Sequence, residues 1–322
     1  MNKAAVYDRY GAPGTLELRD LPMPALQAGE LLVKVAAAAV NPIDWKIMRG
    51  DFRLVSGRRF PRLIGADFSG TVATLGAGDA DYAAGDAVFG TISPMSGKRG
   101  CLAEFIVVQP AEIVRKPENV SFADAATLPI AGVSALDCLD RLGQAQRGQR
   151  LLVTGAAGGV GAFIVQLAKL NGLHVTGVCR ECNGEWVRGL GADTIIAHDR
   201  AKVFTGDARY DLIIDAAAVH TFGQCRDWLT PRGIYVNTMP GPRLFFDVLR
   251  TRFFSRRQAR VLMAQVKRPR LELLAAMMAD QRLRSIVVER FPFSEVRRAY
   301  ELSATGHARG KIVVELNSRD QD

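Results

Sequence analysis

The segment Arg150-Leu-Leu-Val-Thr-Gly-Ala-Ala-Gly-Gly-Val-Gly161 runs an apolar strand into a glycine-rich turn. Ala162-Phe-Ile-Val-Gln-Leu-Ala-Lys169 continues it as a helix with apolar residues at Phe163, Ile164, Leu167 and Leu170. Free backbone N–H groups at such a helix start, aided by the helix dipole, bind the pyrophosphate of a dinucleotide. Gly155, Ala156, Gly158, Gly159, Val160 and Gly161 are therefore candidate cofactor-binding positions. Gly158 would let the backbone approach the phosphates, and Gly161 would let the helix lie close to the strand. Aligned on these two, the first glycine of the usual pattern is replaced by Ala156, with Gly155 one residue earlier. A tight strand–helix turn without a ligand is the alternative.

The next strand ends Val175-Thr-Gly-Val-Cys-Arg180. A site for NAD places an acid about 20 residues beyond the glycines, on the ribose 2′-hydroxyl. Neither Val178 nor Cys179 is acidic, and Arg180 follows. A guanidinium grips a 2′-phosphate through two hydrogen bonds, so the pattern predicts NADPH over NADH, provided Glu181 points outward. A solvated loop arginine is the other reading. Arg309 and Lys311 are further basic candidates for the cofactor, although Lys311 also begins the last strand. Asp215, ending Leu212-Ile-Ile-Asp-Ala216, falls at the carboxyl edge of the sheet, where cofactors lie, or caps the next helix.

Asn41-Pro-Ile-Asp-Trp-Lys46 follows an apolar strand. Asn41 offers an amide donor and Lys46 a cation for an oxygen on which negative charge develops, and Asp44 could orient Lys46 or bond a ribose or substrate. Alternatively, Asn41-Pro42 is a turn, Asp44 caps the short helix after it, and Lys46 is solvated. Trp45, Phe52, Phe89 and the aromatics near Phe245 would line an apolar cleft, with core packing as the default.

These groups need two kinds of scaffold. The first 120 or so residues carry short β-like runs at Ala4–Tyr7, Leu31–Ala36, Asp67–Leu75, Ala87–Phe89 and Phe105–Val108. Turn signals at Gly11–Gly14, Leu21–Pro24 and Gly76–Asp79 separate them, predicting a mainly antiparallel β domain. From Ala123 the rhythm becomes strand–helix: Leu151–Val153, helix 159–171, His174–Cys179, helix 184–190, Thr194–Ala197, Leu212–Ala216, helix 221–229 and Ile234–Asn237. That alternation predicts an α/β protein whose second domain is a doubly wound parallel sheet. The expected division is 1–122, completed by 285–322 with a helix Phe293–Thr305 and a strand Lys311–Glu315, and 123–284.

At 322 residues the chain has room for two cores, and 48% hydrophobic with 23% charged residues is ordinary globular composition. No apolar run has the length of a membrane span and the start has no signal-like apolar stretch, so a cytoplasmic protein is expected. Five cysteines without framework spacing fit a reducing compartment, and Cys179-Arg-Glu-Cys182 reads as two incidental thiols. The net charge of +9 is mostly interspersed with acids, so no nucleic acid is expected. Residues 243–260 are the exception, with six arginines against Asp247 and seven large apolar residues. They read as a helix packing its apolar side on the protein body, with contact to a membrane surface as the lesser alternative.

The whole pattern resembles the medium-chain dehydrogenase/reductase superfamily, and within it the zinc-free quinone oxidoreductases and the plant enone and alkenal reductases. The motifs are Asn41–Lys46, Gly65-Ala-Asp-Phe-Ser-Gly70, Gly85-Asp-Ala-Val-Phe-Gly90, Leu128-Pro-Ile-Ala-Gly132 and Gly306-His-Ala-Arg-Gly-Lys311, in family order along nearly the whole chain. The resemblance implies a GroES-like β domain, a Rossmann domain and a homodimer. It implies that Asn41, Asp44 and Lys46 face the nicotinamide end of the cleft and that Thr127 contacts the carboxamide end, a self-bonded hydroxyl being the alternative. Zinc-dependent relatives have a Cys near Asn41, a His-Glu pair at Ala66-Asp67 and a four-cysteine lobe, all absent here, and a catalytic zinc needs about three protein ligands. The implied activity is zinc-independent hydride transfer from NADPH to a quinone or enone. Other readings are a non-catalytic scaffold that keeps the fold, using 243–260 as its partner surface, and an enoyl-thioester reductase.

Overall fold

The computed structural model describes residues 1–78, 81–239 and 241–316; Asp79 of the Gly76–Asp79 turn signal and the last six residues of the expected 285–322 segment lie outside them. The chain forms two compact units, Met1–Ile130 with Val266–Gln281 and Ser285–Asp322, and Ala131–Gln265 with Arg282–Arg284.

The first unit is built on β-sheet. Strands Asn2–Tyr7, Glu17–Leu21 and Arg62–Leu63 form a three-stranded sheet. The larger sheet is centred on the long strand Leu31–Ala39, which pairs antiparallel with Asp67–Leu75, Phe105–Val108 and Lys311–Glu315. Alternation drives this arrangement: Leu31, Val33 and Val35 are fully buried while Lys34 is exposed. Cross-strand neighbours bring Ala39 opposite both Asp67 and Val313. The ends of three strands distant in sequence therefore meet at one place, and the site below is built there.

Residues 123–130 belong to this unit rather than the next because the helix Phe122–Thr127 buries Ala123 and Ala126 against Ala37, Ala39 and Val313. Residues 266–281 join it through the helix Arg268–Ala279, absent from the sequence reading, whose Ala279 carbonyl accepts from the Asn119 amide at 2.8 Å. The helical run Phe122–Leu142 has the length and composition to cross a membrane, contrary to expectation. It is mostly buried within protein, as a core helix is.

The second unit is a six-stranded parallel sheet in the order Thr194–Ala197, His174–Cys179, Arg150–Thr154, Tyr210–Asp215, Leu229–Asn237, Gln258–Val261. Its strand order reverses between Arg150–Thr154 and Tyr210–Asp215, the point where open parallel sheets hold ligands beyond their carboxyl ends. The residues expected as one helix over 243–260 divide instead into a helix Pro242–Phe254 and an edge strand Gln258–Val261.

Candidate functional site

At the switch point of the parallel sheet, Gly155 turns the chain with φ +61°, a conformation costly for any residue with a Cβ. A Cβ on Gly161 would lie 2.1 Å from the Gly155 carbonyl oxygen, so Gly161 is demanded by the close crossing of helix and strand. Gly158 differs. It caps the helix Gly159–Leu170 with extended φ −85° and ψ 174°, and its missing Cβ would meet only the Gly155 oxygen, at 3.3 Å. A side chain there would crowd that one carbonyl by a few tenths of an ångström, a milder demand than at Gly161. The backbone N–H groups at the start of a twelve-residue helix, with small residues around them, suit a pyrophosphate, and the residues present thus fit a dinucleotide.

The adjoining loop was missed in the sequence. Its organiser is Asp215, fully buried, whose carboxylate accepts from the backbone of Val219 at 3.3 Å and His220 at 2.7 Å, and from Tyr235 Oη at 3.2 Å, Asn237 Nδ2 at 3.3 Å and Thr154 Oγ1. Asp215 holds Ala216–His220 in shape and has no oxygen left for a cofactor, a correction to its expected role. The loop includes Ala218 at φ +56°, an unfavourable angle for alanine that this bonding maintains.

Arg180 ends the second strand exposed, and no described residue pairs with its guanidinium. Glu181 is held away from it: Arg200 Nε donates to Oε2 of Glu181 at 2.7 Å. Cys179 is buried and Cys182 exposed, and both are free thiols.

The first unit gathers a buried polar cluster where its three strand ends meet. Asn41 caps the helix Pro42–Arg49 in a capping box, its backbone N–H donating to Asp44 Oδ2 at 3.0 Å. The Asn41 amide donates to Asp67 Oδ2 at 2.9 Å and to the Ala39 carbonyl at 3.3 Å, and its oxygen accepts from Lys311 Nζ at 2.7 Å. Lys311 also donates to the Val40 carbonyl at 2.9 Å. Tyr300 Oη donates to Asp44 Oδ2 at 3.1 Å, and Cys101 Sγ to the Asp67 carbonyl at 3.3 Å.

This geometry corrects three expectations. Asn41 is 2% exposed with both amide hydrogens engaged, so it has none to offer a substrate oxygen. Asp44 takes the capping role rather than orienting Lys46. Lys311, at 4% exposure, serves the buried cluster rather than a cofactor phosphate. Thr127 is likewise fully buried, its hydroxyl donating to the Asp124 carbonyl at 2.7 Å. Lys46 stands apart: it is half-buried near Trp45, and desolvation, then the Arg49 charge, pull its pKa down. Phe89 is a core residue, and Trp45 packs on the core and donates to Ser303 Oγ at 3.2 Å.

Burial dominates the electrostatics of the cluster. It pushes the Asp44 carboxyl up to about 7 and Asp67 to about 6, opposed by hydrogen bonds and by Lys311, whose own pKa desolvation lowers. One oxygen of each carboxyl has no hydrogen-bond partner, so burial disfavours the charge on both, more strongly on Asp44 than on Asp67. The cluster does not suit a zinc ion. The amide of Asn41 is spent, Ala66 has no donor, burial lifts the Cys101 thiol far above its ordinary range, and the Lys311 ammonium already supplies the cation. Among the described residues no three His, Cys, Asp or Glu side chains gather as a ligand set.

A GroES-like β unit joined in one chain to a parallel six-stranded sheet with a glycine turn at its switch point defines a medium-chain dehydrogenase/reductase. Residues 27–118 match the alcohol dehydrogenase GroES-like domain, and residues 190–314 match the zinc-binding dehydrogenase family. The chloroplast envelope quinone oxidoreductase homolog of Arabidopsis thaliana is 33% identical across 97% of this chain and 98% of its own length. The mitochondrial NAD(P)H oxidoreductase RTN4IP1 of Homo sapiens is 30% identical across 97% and 89%. The quinone oxidoreductase structure from Coxiella burnetii superposes with a TM-score of 0.91 at 31% identity, covering 98% of this chain and 99% of that one. The chain belongs to the quinone oxidoreductase family of the medium-chain superfamily.

Proposed function

We propose that this protein is an NADPH-dependent oxidoreductase that reduces a quinone or an α,β-unsaturated carbonyl compound without a metal ion. The observation that carries this reading is the glycine turn: Gly155, Gly158 and Gly161 lead the strand Arg150–Thr154 into a twelve-residue helix at the switch point of the parallel sheet. Family membership and the names of the relatives, quinone and NAD(P)H oxidoreductases, support the same chemistry.

The bound nicotinamide supplies a hydride to the acceptor. The chain's part is to hold and polarise. Backbone N–H groups of Gly159, Val160 and Gly161 receive the pyrophosphate, and Arg180 receives the 2′-phosphate that distinguishes NADPH. Glu181, tied to Arg200, does not oppose that phosphate. Lys46 is the accessible cation of the Asn41–Lys46 segment and stabilises negative charge on the acceptor oxygen, its lowered pKa easing donation of a proton. Asn41, Asp44, Asp67 and Lys311 position the helix that carries Lys46. A quinone or enone is electrophilic already, so this polarisation suffices without a Lewis acid.

Fluorescence titration with NADPH and NADH, followed by turnover with a panel of quinones, enones and enoyl thioesters, tests the proposal. Tighter NADPH binding and turnover with quinones or enones are expected. No binding of either nucleotide would overturn it, and turnover confined to enoyl thioesters would move the activity to that class.

A further inference from the structure

We propose that the helix Pro242–Phe254 docks this protein on the surface of an anionic lipid bilayer. The helix carries two apolar faces. Residues in a helix turn by about 100° each, so Leu244, Val248 and Thr251 share one side, and these are the ones that meet the protein body. Phe245, Phe246, Leu249 and Phe253 form a stripe on the opposite side. Phe246 is 65% and Phe253 67% exposed, and Phe254 at the helix end is 86% exposed. A soluble helix has no reason to turn three phenylalanines and a leucine away from the core it rests on.

The charges around the stripe select the occupant. Arg243 and Arg250 border it on one side and Arg252 on the other, and Arg256 follows the helix end. Arg250 leans on Asp247 at 3.5 Å, whereas no described acid pairs with Arg243, Arg252 or Arg256. Beside Phe254 lies an open groove of about 430 Å³ bordered by Phe222, Arg226, Arg250, Arg256 and Arg257, a setting for a phosphate head group next to an apolar chain. An apolar ridge with arginine flanks matches an interfacial helix, in which the rings enter the acyl boundary and the guanidinium groups meet lipid phosphates. A second copy of this chain would bring arginines face to face. A nucleic acid would satisfy the charges but leave Leu249 and the ridge in water.

Co-sedimentation of the full chain with vesicles tests this directly, using phosphatidylcholine alone and phosphatidylcholine mixed with phosphatidylglycerol. Binding is expected only to the mixed vesicles, falling by about tenfold or more in Phe246→Ser/Phe253→Ser and in Arg250→Glu/Arg256→Glu. Both variants change exposed side chains, so their circular dichroism, melting and NAD(P)H oxidation in solution are expected to match the parent. Absence of binding to the mixed vesicles, or binding that both variants retain, would overturn the proposal. So would a variant whose main change is a smaller solution mass, which would make the ridge a subunit interface, or tighter binding to a single-stranded RNA oligomer than to the vesicles.

Discussion

Lys311 Nζ lies 2.7 Å from Oδ1 of Asn41, so the last strand and the loop after the strand Leu31–Ala39 are joined by a buried, charge-assisted hydrogen bond. The bond fixes which way the Asn41 amide faces, because an oxygen turned to Lys311 leaves its N–H groups for Asp67 and Ala39. Lys311→Met removes the cation and strands the Asp67 carboxylate. A loss of about 3–5 kcal/mol in urea unfolding is expected. Asn41→Ala is expected to lower the melting temperature with a smaller fractional effect on kcat. A fall in kcat with unchanged stability would restore Asn41 as a direct participant.

The raised carboxyls make stability depend on pH. A carboxyl with a folded pKa of about 7 or 6 holds its proton in the folded state at pH values where the unfolded chain, near 3.8, has released it. The resulting stability is complete below the unfolded value and is lost as pH rises through the folded one. Lys311 has its pKa lowered, so its own contribution runs oppositely, lost as pH falls through its folded value. From about pH 4 to pH 7 the carboxyls govern, and unfolding free energy is expected to fall on the order of 2–4 kcal/mol. Asp44→Asn should flatten that slope, which chemical denaturation at stepped pH measures.

Gly158→Val and Gly161→Ala should behave differently. The first adds a side chain at ordinary extended backbone angles, where its Cβ crowds only the Gly155 oxygen at 3.3 Å, so folding is expected to survive while NADPH binding is abolished. The second drives a Cβ to 2.1 Å from a carbonyl oxygen and should destabilise the unit itself. Retained NADPH affinity in folded Gly158→Val would remove the proposed phosphate site.

Arg180→Ala is expected to weaken NADPH by about 1.5–3 kcal/mol, roughly ten- to a hundredfold, and to leave NADH nearly unchanged. Arg200→Ala releases Glu181 and should also disfavour NADPH, more weakly. Equal losses for both nucleotides on Arg180→Ala would end its role as discriminator.

Lys46→Met should lower kcat more than it changes the NADPH dissociation constant, because its proposed partner is the acceptor oxygen. Exhaustive chelation should leave the rate unchanged. A tightly held zinc whose removal stops turnover would overturn the mechanism.

Much of the architecture was legible because buried strands such as Leu151–Val153 and Leu212–Ile214 are continuous apolar runs between glycine-marked turns. The strand Gln258–Val261 was not, since an edge strand carrying Arg260 lacks that signature and merges with the arginine-rich helix before it. The glycine turn could be read locally, as its function lies in adjacent backbone. Asn41 could not, because its amide is committed by Asp67 and Lys311, residues that sheet pairing alone brings together. For Thr127 the self-bonded reading was the physical one, whereas Asp215 leaves the capping of the next helix to Thr221 and orders the loop before it, through bonds that the local sequence does not announce.

The late position of Lys311 also sets an order of manufacture. Asn41, Asp44 and Asp67 leave the ribosome early, but the strand that brings their countercharge is translated only after residues 131–265. The parallel-sheet unit can close while the first unit still has an open edge at Ala37–Ala39 and two carboxyl groups awaiting a cation. The amino-terminal unit is therefore the last to mature. A nascent chain halted before Lys311 presents the unpaired strand edge at Ala37–Ala39 to chaperones and to other chains, which makes the addition of Lys311–Glu315 the step at which newly made protein is committed to its native form.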